Sequence, residues 1–300
     1  MDIELLRNFL EIARLGSMTK AASSLHISQP TLSVQMKSLE EVLGRKLFRK
    51  EGRNLVMTEE GELLERRAAD IIGLTDKTLS EFRALSDSLG GDVRIGCAES
   101  VLIDHLALAV KKIKKKRPFL RCHITSGDTA IVTSILEQGL IDFAIIVEPP
   151  DLDRYDSIRI PGVDTWCAVI PEDSPLAAKK SLTFDYIKNE PIIMSKQSFL
   201  ADLPRWCGSR RNELTIFGYL NLFYNGTRFV KNHMAILLTF AGLAESGNGL
   251  AVRPLSPVLS NRMYIVWKKR QIFSPAARDL LEILRENAEK NLSMNNKKGL

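Results

Sequence analysis

No stretch of this 300-residue chain is apolar for anything near the roughly 20 residues that cross a bilayer. Its first residues, MDIELLRNFLEIARLG, are acidic and amphipathic, without the basic start and apolar centre of a secretory signal, so the expected location is the cytoplasm. Cysteine is scarce. Cys97, Cys122, Cys167 and Cys207 lie far apart with no CxxC, which excludes a zinc finger or ribbon, and a reducing compartment argues against structural disulfides. None of His26, His105, His123 and His233 stands at metal-ligand spacing from a cysteine or carboxylate. There is no phosphate-cradling glycine loop and no nucleophile–base pattern. The chain is therefore expected to hold no metal and no cofactor and not to be an enzyme. Repeats and low-complexity tracts are also absent. Only the polar SMNNKKGL at the C-terminus is expected to be disordered.

What is present is a chain long enough for two domains, with 45% hydrophobic residues and a formal net charge of +6. That charge is compatible with a polyanionic partner, but where the cations sit matters more than their sum. Apolar residues at Leu5, Leu6, Phe9, Leu10, Ile12 and Ala13 have helical spacing over Ile3 to Leu15, with Gly16 as the stop. Ser17 caps a second short helix, Met18 to Leu25, whose Ala21 and Ala22 allow close approach of a neighbour. After a tight connection at His26-Ile27, Ser28 caps a third helix with Pro30 in its first turn and Gly44 at its end. Its inward face is expected to be Leu32, Met36, Leu39 and Leu43. The other face presents Gln29, Pro30, Ser33, Val34 and Lys37. Two helices crossing at a tight turn, the second with a polar face, suit insertion into a DNA major groove. Gln and Ser can bond base edges, Val can touch a thymine methyl, and Lys can reach guanine or phosphate. In KLFRKEGRNLVMT, Arg49, Lys50 and Arg53 surround a Glu-Gly turn between apolar patches, as in a small β-wing.

These stretches, LLRNFLEIARLGSMTKAASSLHISQPTLSVQMKSLEEVLGRKLFRKEGR followed by LVMTEEGE, resemble the N-terminal domain of LysR-type transcriptional regulators in order and spacing. The resemblance implies DNA contact by Gln29, Pro30, Thr31, Ser33 and Lys37, with Arg49 and Arg53 in the wing. Val34 departs from the basic or polar residue that many members carry. It further implies homodimers, assembled into homotetramers, paired through the helix that follows. Over 59–89 the residues read as one long helix capped by Thr58. Ala68, Ile72, Thr75, Leu79, Phe82, Ser86 and Leu89 form a seam of alternating three- and four-residue spacing suited to a partner helix.

From Gly90-Gly91, a natural hinge, strand-like and helical runs alternate: DVRIGCAES, LIDHLALAVKKIKKKRP, LRCHITSGD, TAIVTSILEQGL, IDFAIIV. That order implies a parallel sheet whose ligands sit beyond the C-terminal strand ends, at Glu99-Ser100-Val101, Ser126 to Thr129 and Val147-Glu148. A second lobe follows, with strands at 191–195 and 249–254 and a helix read in AILLTFAGLAESG. The chain returns through MYIVWKK and closes with a helix over about 275–292. The expected architecture is α+β and multidomain: a winged helix-turn-helix (1–58), a linker helix (59–89) and a two-lobed α/β effector domain (90–300). Lobe I takes about 90–162 and 267–300, and lobe II about 163–266. This resembles the periplasmic-binding-protein-like effector domain of the same family, and implies a small-molecule effector held by Ser100, Thr129, Ser198, Phe199 and Asn232. A hydroxyl such as Ser100 at a strand end and helix start suits an anionic effector, and equally suits a plain N-cap. The aromatics of 198–229 either line the cleft or pack a lobe. The run KKIKKKRP reads as a solvated helix face more readily than as a nucleic-acid patch.

Overall fold

The computed structural model describes residues 2–52, 54–85, 89–147 and 150–298. The chain divides into two compact units, Met1–Phe82 and Arg83–Leu300.

The first unit begins with three helices, α1 (Ile3–Leu15), α2 (Met18–Ser24) and α3 (Gln29–Leu43). Each is set by its caps. Asp2 accepts the Glu4 N–H before α1, Ser17 the Lys20 N–H before α2, and Ser28 the Thr31 N–H before α3. Gly16 and Gly44 end α1 and α3 in the left-handed region, at φ 58° and 65°. Leu6, Phe9 and Ile12 of α1, Ala21 and Ala22 of α2 and Leu32, Met36 and Leu39 of α3 form one buried core. Burial of each large apolar side chain contributes about 1.5–3 kcal/mol. Leu43, expected in that face, is 38% exposed, because the helix ends at Gly44 before another element can cover it. An antiparallel hairpin follows, β1 (Phe48–Glu51) and β2 (Asn54–Met57), in register Phe48↔Met57 to Glu51↔Asn54. The Phe48 ring packs 5.3 Å from that of Phe9, which ties the hairpin to α1.

The long helix α4 spans Glu59–Ala84. Thr58 caps it as expected: its hydroxyl accepts the Gly61 N–H at 3.0 Å and donates to the Lys46 carbonyl at 2.7 Å. The expected helix over 59–89 included Ser86-Asp87-Ser88. Those three, Ser86 of the expected seam among them, lie outside the described residues. The seam itself splits. Ala68 and Ile72, with Leu64, join the core of their own unit, whereas Leu79 and Phe82 are 50% and 70% exposed.

The second unit holds two sheets. The first has strand order β4-β3-β5-β13-β6, built from β3 (Gly90–Cys97), β4 (Phe119–Ser126), β5 (Phe143–Val147), β6 (Tyr155–Arg159) and β13 (Met263–Lys268). β3 runs parallel to β4 and β5, while β13 is antiparallel to β5 and β6. Helices α5 (Asp104–Ile113) and α6 (Thr129–Glu137) make the crossovers. Gly90-Gly91, expected as a hinge, is instead the first pair of β3, opposite Phe119 and Leu120.

The second sheet has order β11-β7-β10-β8-β9, with β12 also on β7. Its strands are β7 (Asp164–Pro171), β8 (Ile192–Met194), β9 (Ile216–Tyr219), β10 (Ile236–Phe240), β11 (Leu250–Pro254) and β12 (Ser260–Asn261). Between them lie α7 (Phe184–Ile187), α8 (Lys196–Ala201), α9 (Leu203–Cys207) and α10 (Phe223–Lys231). The helix expected in AILLTFAGLAESG is strand β10. Its apolar run is short and sits between β7 and β8 in mid-sheet, where a strand buried on both faces shows no alternation.

The chain crosses between the lobes twice, side by side. Asn261 pairs with Asp164, and the Ile160 N–H bonds the Met263 carbonyl. Since Met263 already belongs to the first sheet, the return falls before the expected 266/267 boundary. The closing helix α11 runs Pro275–Lys298, through most of the tail expected to be disordered. It takes up the basic run: Lys112 pairs with Glu286 at 2.6 Å, Lys116 with Asp279 at 2.9 Å and Arg117 with Asp279 at 2.6 Å.

Candidate functional site

In the first unit the crossing of α2 and α3 rests on Ala21 and Ala22, both fully or nearly fully buried. This close approach holds α3 so that Leu32, Met36 and Leu39 point inward. Gln29, Pro30, Thr31 and Lys37 are exposed, Val34 is 66% exposed and Ser33 is half-buried. The six residues chosen on α3 thus lie on one accessible surface. Three polar contacts fix its orientation. The buried Asn8 amide of α1 donates to Gln35 Oε1 at 2.9 Å, and the Glu40 carboxylate accepts the Leu47 N–H at 2.9 Å and the Lys46 ammonium at 2.6 Å. The Glu40 bonds set where the hairpin leaves α3. Arg49 and Lys50 stand exposed on β1, Arg49 paired with Glu51 at 2.8 Å, an exposed ion pair worth about 0–1 kcal/mol. Arg53 lies outside the described residues. A polar helix face with one cation, flanked by a basic hairpin, can lie in a major groove while the hairpin meets phosphate.

In the second unit a cavity of about 80 Å³ lies between the lobes. From lobe I it is lined by Ala98 and Glu99 after β3, Gly127 and Asp128 after β4, and Val147 at the end of β5. These are the strand ends expected from the βαβ order. Glu148 lies outside the described residues. From lobe II come Ser195, Gln197 and Ser198 at the start of α8, Asn221 and Phe223 at the start of α10, and Trp166 and Phe240, whose rings meet edge to face at 5.0 Å.

Among the described residues, hydrogen bonds bridge the lobes at three places, one of them Ser100 to Asp164 at 2.7 Å. The Gln197 amide accepts the Thr129 N–H at 2.8 Å and donates to the Thr129 hydroxyl at 3.1 Å. The Glu99 carboxylate accepts the Phe223 N–H at 2.6 Å. A further close approach is steric. Gly242, at φ +87°, meets Val101 so closely that any Cβ would clash.

Of the five residues expected to hold the effector, only Ser198 lines the cavity. Thr129 borders it, its hydroxyl engaged by Gln197. Ser100 is turned away: its hydroxyl donates to Asp164 Oδ2 at 2.7 Å and accepts the Leu102 N–H at 2.9 Å. Burial raises the Asp164 carboxyl above its ordinary 3.8, and the Ser100 bond pulls it back only in part. Phe199 packs against Tyr219, with the Arg211 guanidinium over its ring. Asn232 is the exposed C-cap of α10, its amide donating to the Arg228 carbonyl at 2.7 Å. It was placed before a helix, and β10 stands there instead. Glu99 and Asp128 were within reach of strand-end reasoning, whereas Gln197, Asn221 and Phe223 carried no local signal. Most aromatics of 198–229 pack, as Phe217 does on Phe229 at 5.8 Å, and Phe223 alone of them lines the cavity.

The thiols offer no competing chemistry. Cys97 stands opposite Ser126 and Cys122 opposite Val93, so they are four residues out of register. Burial raises all four thiols, Cys167 to about 12, which keeps them protonated. Among the described residues no group of side chains could hold a metal ion, and no helix is long and apolar enough to cross a membrane.

A presented recognition helix in one unit and a two-lobed binding cleft in the other define a ligand-responsive DNA-binding regulator. Comparison with known proteins agrees. Residues 3–62 match the family described as bacterial regulatory helix-turn-helix protein, lysR family, and residues 86–289 match the LysR substrate binding domain. The chain belongs to the LysR family, and it is a DNA-binding transcriptional regulator with an effector-binding domain. It is 26% identical over 291 residues to a probable nitrogen assimilation transcriptional activator of Synechocystis sp. (strain ATCC 27184 / PCC 6803 / Kazusa), covering 95% of this chain and 89% of that protein. It is 28% identical over 292 residues to the uncharacterized HTH-type transcriptional regulator YwbI of Bacillus subtilis (strain 168), covering 94% and 95%. Its fold matches the crystal structure of CbnR, a LysR family transcriptional regulator, with TM-score 0.76 at 17% identity, over 96% of this chain and 99% of that one. CbnR complexed with its target DNA matches with TM-score 0.75, also at 17% identity, over 96% and 100%.

Proposed function

We propose that this regulator, acting in the cytoplasm as a homo-oligomer, reads an operator through α3 and answers to a small molecule bound between the lobes of its second unit. Gln29, Thr31 and Ser33 contact base edges, Pro30 and Val34 supply apolar contact, Lys37 reaches guanine or phosphate, and Arg49 and Arg53 hold the backbone beside the wing. The observation that carries this reading is the division of α3. Every large inward residue over its first three turns is buried, and the outward residues, Val34 apart, are polar, small or basic and accessible. Leu74, Leu79 and Phe82 of α4 are exposed apolar side chains, which supports pairing with the same helix of a second copy. A dimer presents two recognition helices, so the operator should carry two half-sites about one helical turn, or a multiple of it, apart.

Ligand control follows from the cleft. A molecule that binds the two lobes with different affinity when closed and when open shifts their population, and with it the affinity for DNA. The test is selection of bound duplexes from a random pool by the purified full chain. Enrichment of a two-part motif supports the reading. A pool that stays random after repeated selection at low salt contradicts it.

A further inference from the structure

The expectation of an anionic effector does not fit the groups that line the cleft. Among the described residues around the cavity there is no lysine, arginine or histidine, and there are two carboxylates, Glu99 and Asp128. Three helix starts border it, and each already carries an acceptor from the chain. Asp128 Oδ1 accepts the Ile131 N–H at the start of α6, at 3.0 Å. Ser195 Oγ accepts the Ser198 N–H at the start of α8, at 3.0 Å. α10 has no capping side chain of its own, and takes the Glu99 carboxylate from the opposite lobe, at 2.6 Å. Helix N-termini are where this fold would ordinarily receive an anion. Here the protein's own carboxylates fill that role, and a ligand carboxylate would face two like charges in a partly desolvated space.

We infer that the effector is a small cation, an ammonium or amidinium compound, seated against Glu99 and Asp128 with Trp166, Phe223 and Phe240 in its apolar wall. This rests on the cleft reading above. Aromatic lining is compatible with the charge argument, since aromatic rings can attract a cation. Size agrees. A cavity of about 80 Å³ takes only a few non-hydrogen atoms in the closed form, and a larger ligand requires the Thr129–Gln197 and Glu99–Phe223 bridges to part. A cation small enough for the cavity leaves Glu99 in place on α10, whereas an anion would have to expel it.

The experiment uses probes of one planar shape and three charges: acetamidine, acetamide and acetate, then the wider set benzamidine, benzamide and benzoate. Binding to the full-length protein is measured by ligand-detected NMR and by thermal shift, at constant ionic strength. The expected order is amidine above amide above carboxylate, with about tenfold or more between the extremes. Glu99→Gln keeps an acceptor for the Phe223 N–H and removes the charge, and should collapse that preference. Asp128→Asn, which retains a capping side chain, should reduce it, and serves if the first variant does not fold. Carboxylates that bind the wild-type protein as tightly as the amidines would overturn the inference and leave the cleft as the effector site. Failure of all six probes would overturn both.

Discussion

Replacing Ser100 with alanine should destabilise the second unit and leave ligand affinity nearly unchanged. Its hydroxyl makes a 2.7 Å bond to Asp164, a carboxylate 1% exposed whose other oxygen has no partner among the described residues. A hydrogen bond to a buried charged group is worth about 1.5–3 kcal/mol. For a unit of roughly 200 residues each kcal/mol is about 2–4 °C of melting temperature, so the fall should be about 3–12 °C.

The pH dependence gives a second check. Asp164 has its native pKa raised above the unfolded value, so its contribution to stability is full below 3.8 and is lost as pH rises through the raised native value. Ser100 opposes that loss by favouring the charged form. The deficit of Ser100→Ala should therefore be small in acid and grow toward neutral pH. Asp164→Asn, which keeps an acceptor for Ser100 and removes the charge, should lack this descending limb. Circular-dichroism melts from acid to neutral pH, with and without a bound probe, measure all of this. A variant within about 0.5 kcal/mol of wild type at neutral pH, or one whose deficit does not change with pH, would refute the reasoning. A large loss of ligand affinity with unchanged stability would return Ser100 to the cleft.

Other perturbations have equally definite outcomes. Lys37→Ala should weaken binding and lower the salt slope by about one, while Ser33→Ala should relax preference at one or two base pairs by about 1–3 kcal/mol; anisotropy titrations over salt and sequence separate the two. Leu79→Glu combined with Phe82→Glu should shift sedimentation toward monomer with little change in melting temperature, since both side chains are exposed. Gly61→Ala should cost about 1–3 kcal/mol in urea titration, because its Cβ would run into the Leu47 carbonyl oxygen. Iodoacetamide at pH 8 should leave Cys97 and Cys167 of the folded protein unmodified by mass spectrometry, because burial holds both thiols protonated and covered.

What could be read in the residues was local. Ser17, Ser28 and Thr58 announce helix starts and Gly16 and Gly44 helix ends because capping depends on a few neighbouring atoms. The outward set on α3 followed from those boundaries and the 3.6-residue period. Strand β10 was misread because Ile236–Phe240 is apolar but for Thr239 and too short to show a period, so only the neighbours β7 and β8 decide its state. The α4 seam was half misassigned for a related reason: spacing cannot say whether Ala68 and Ile72 meet a partner copy or their own core. The cleft was the least legible. Its strand ends were found through topology, but Gln197 and Phe223 reach it from the other lobe, and Ser100 and Asn232 carry cap chemistry that looks identical whether it serves a ligand or a turn.

The central claim is that α3 reads sequence. Fluorescence anisotropy of the purified protein on the DNA upstream of its own gene, against a scrambled duplex of equal length at the same salt, tests it most directly. The account predicts a preference on the order of 10³ or more for the native sequence. Equal affinity for the two duplexes, falling together as salt rises, would contradict it.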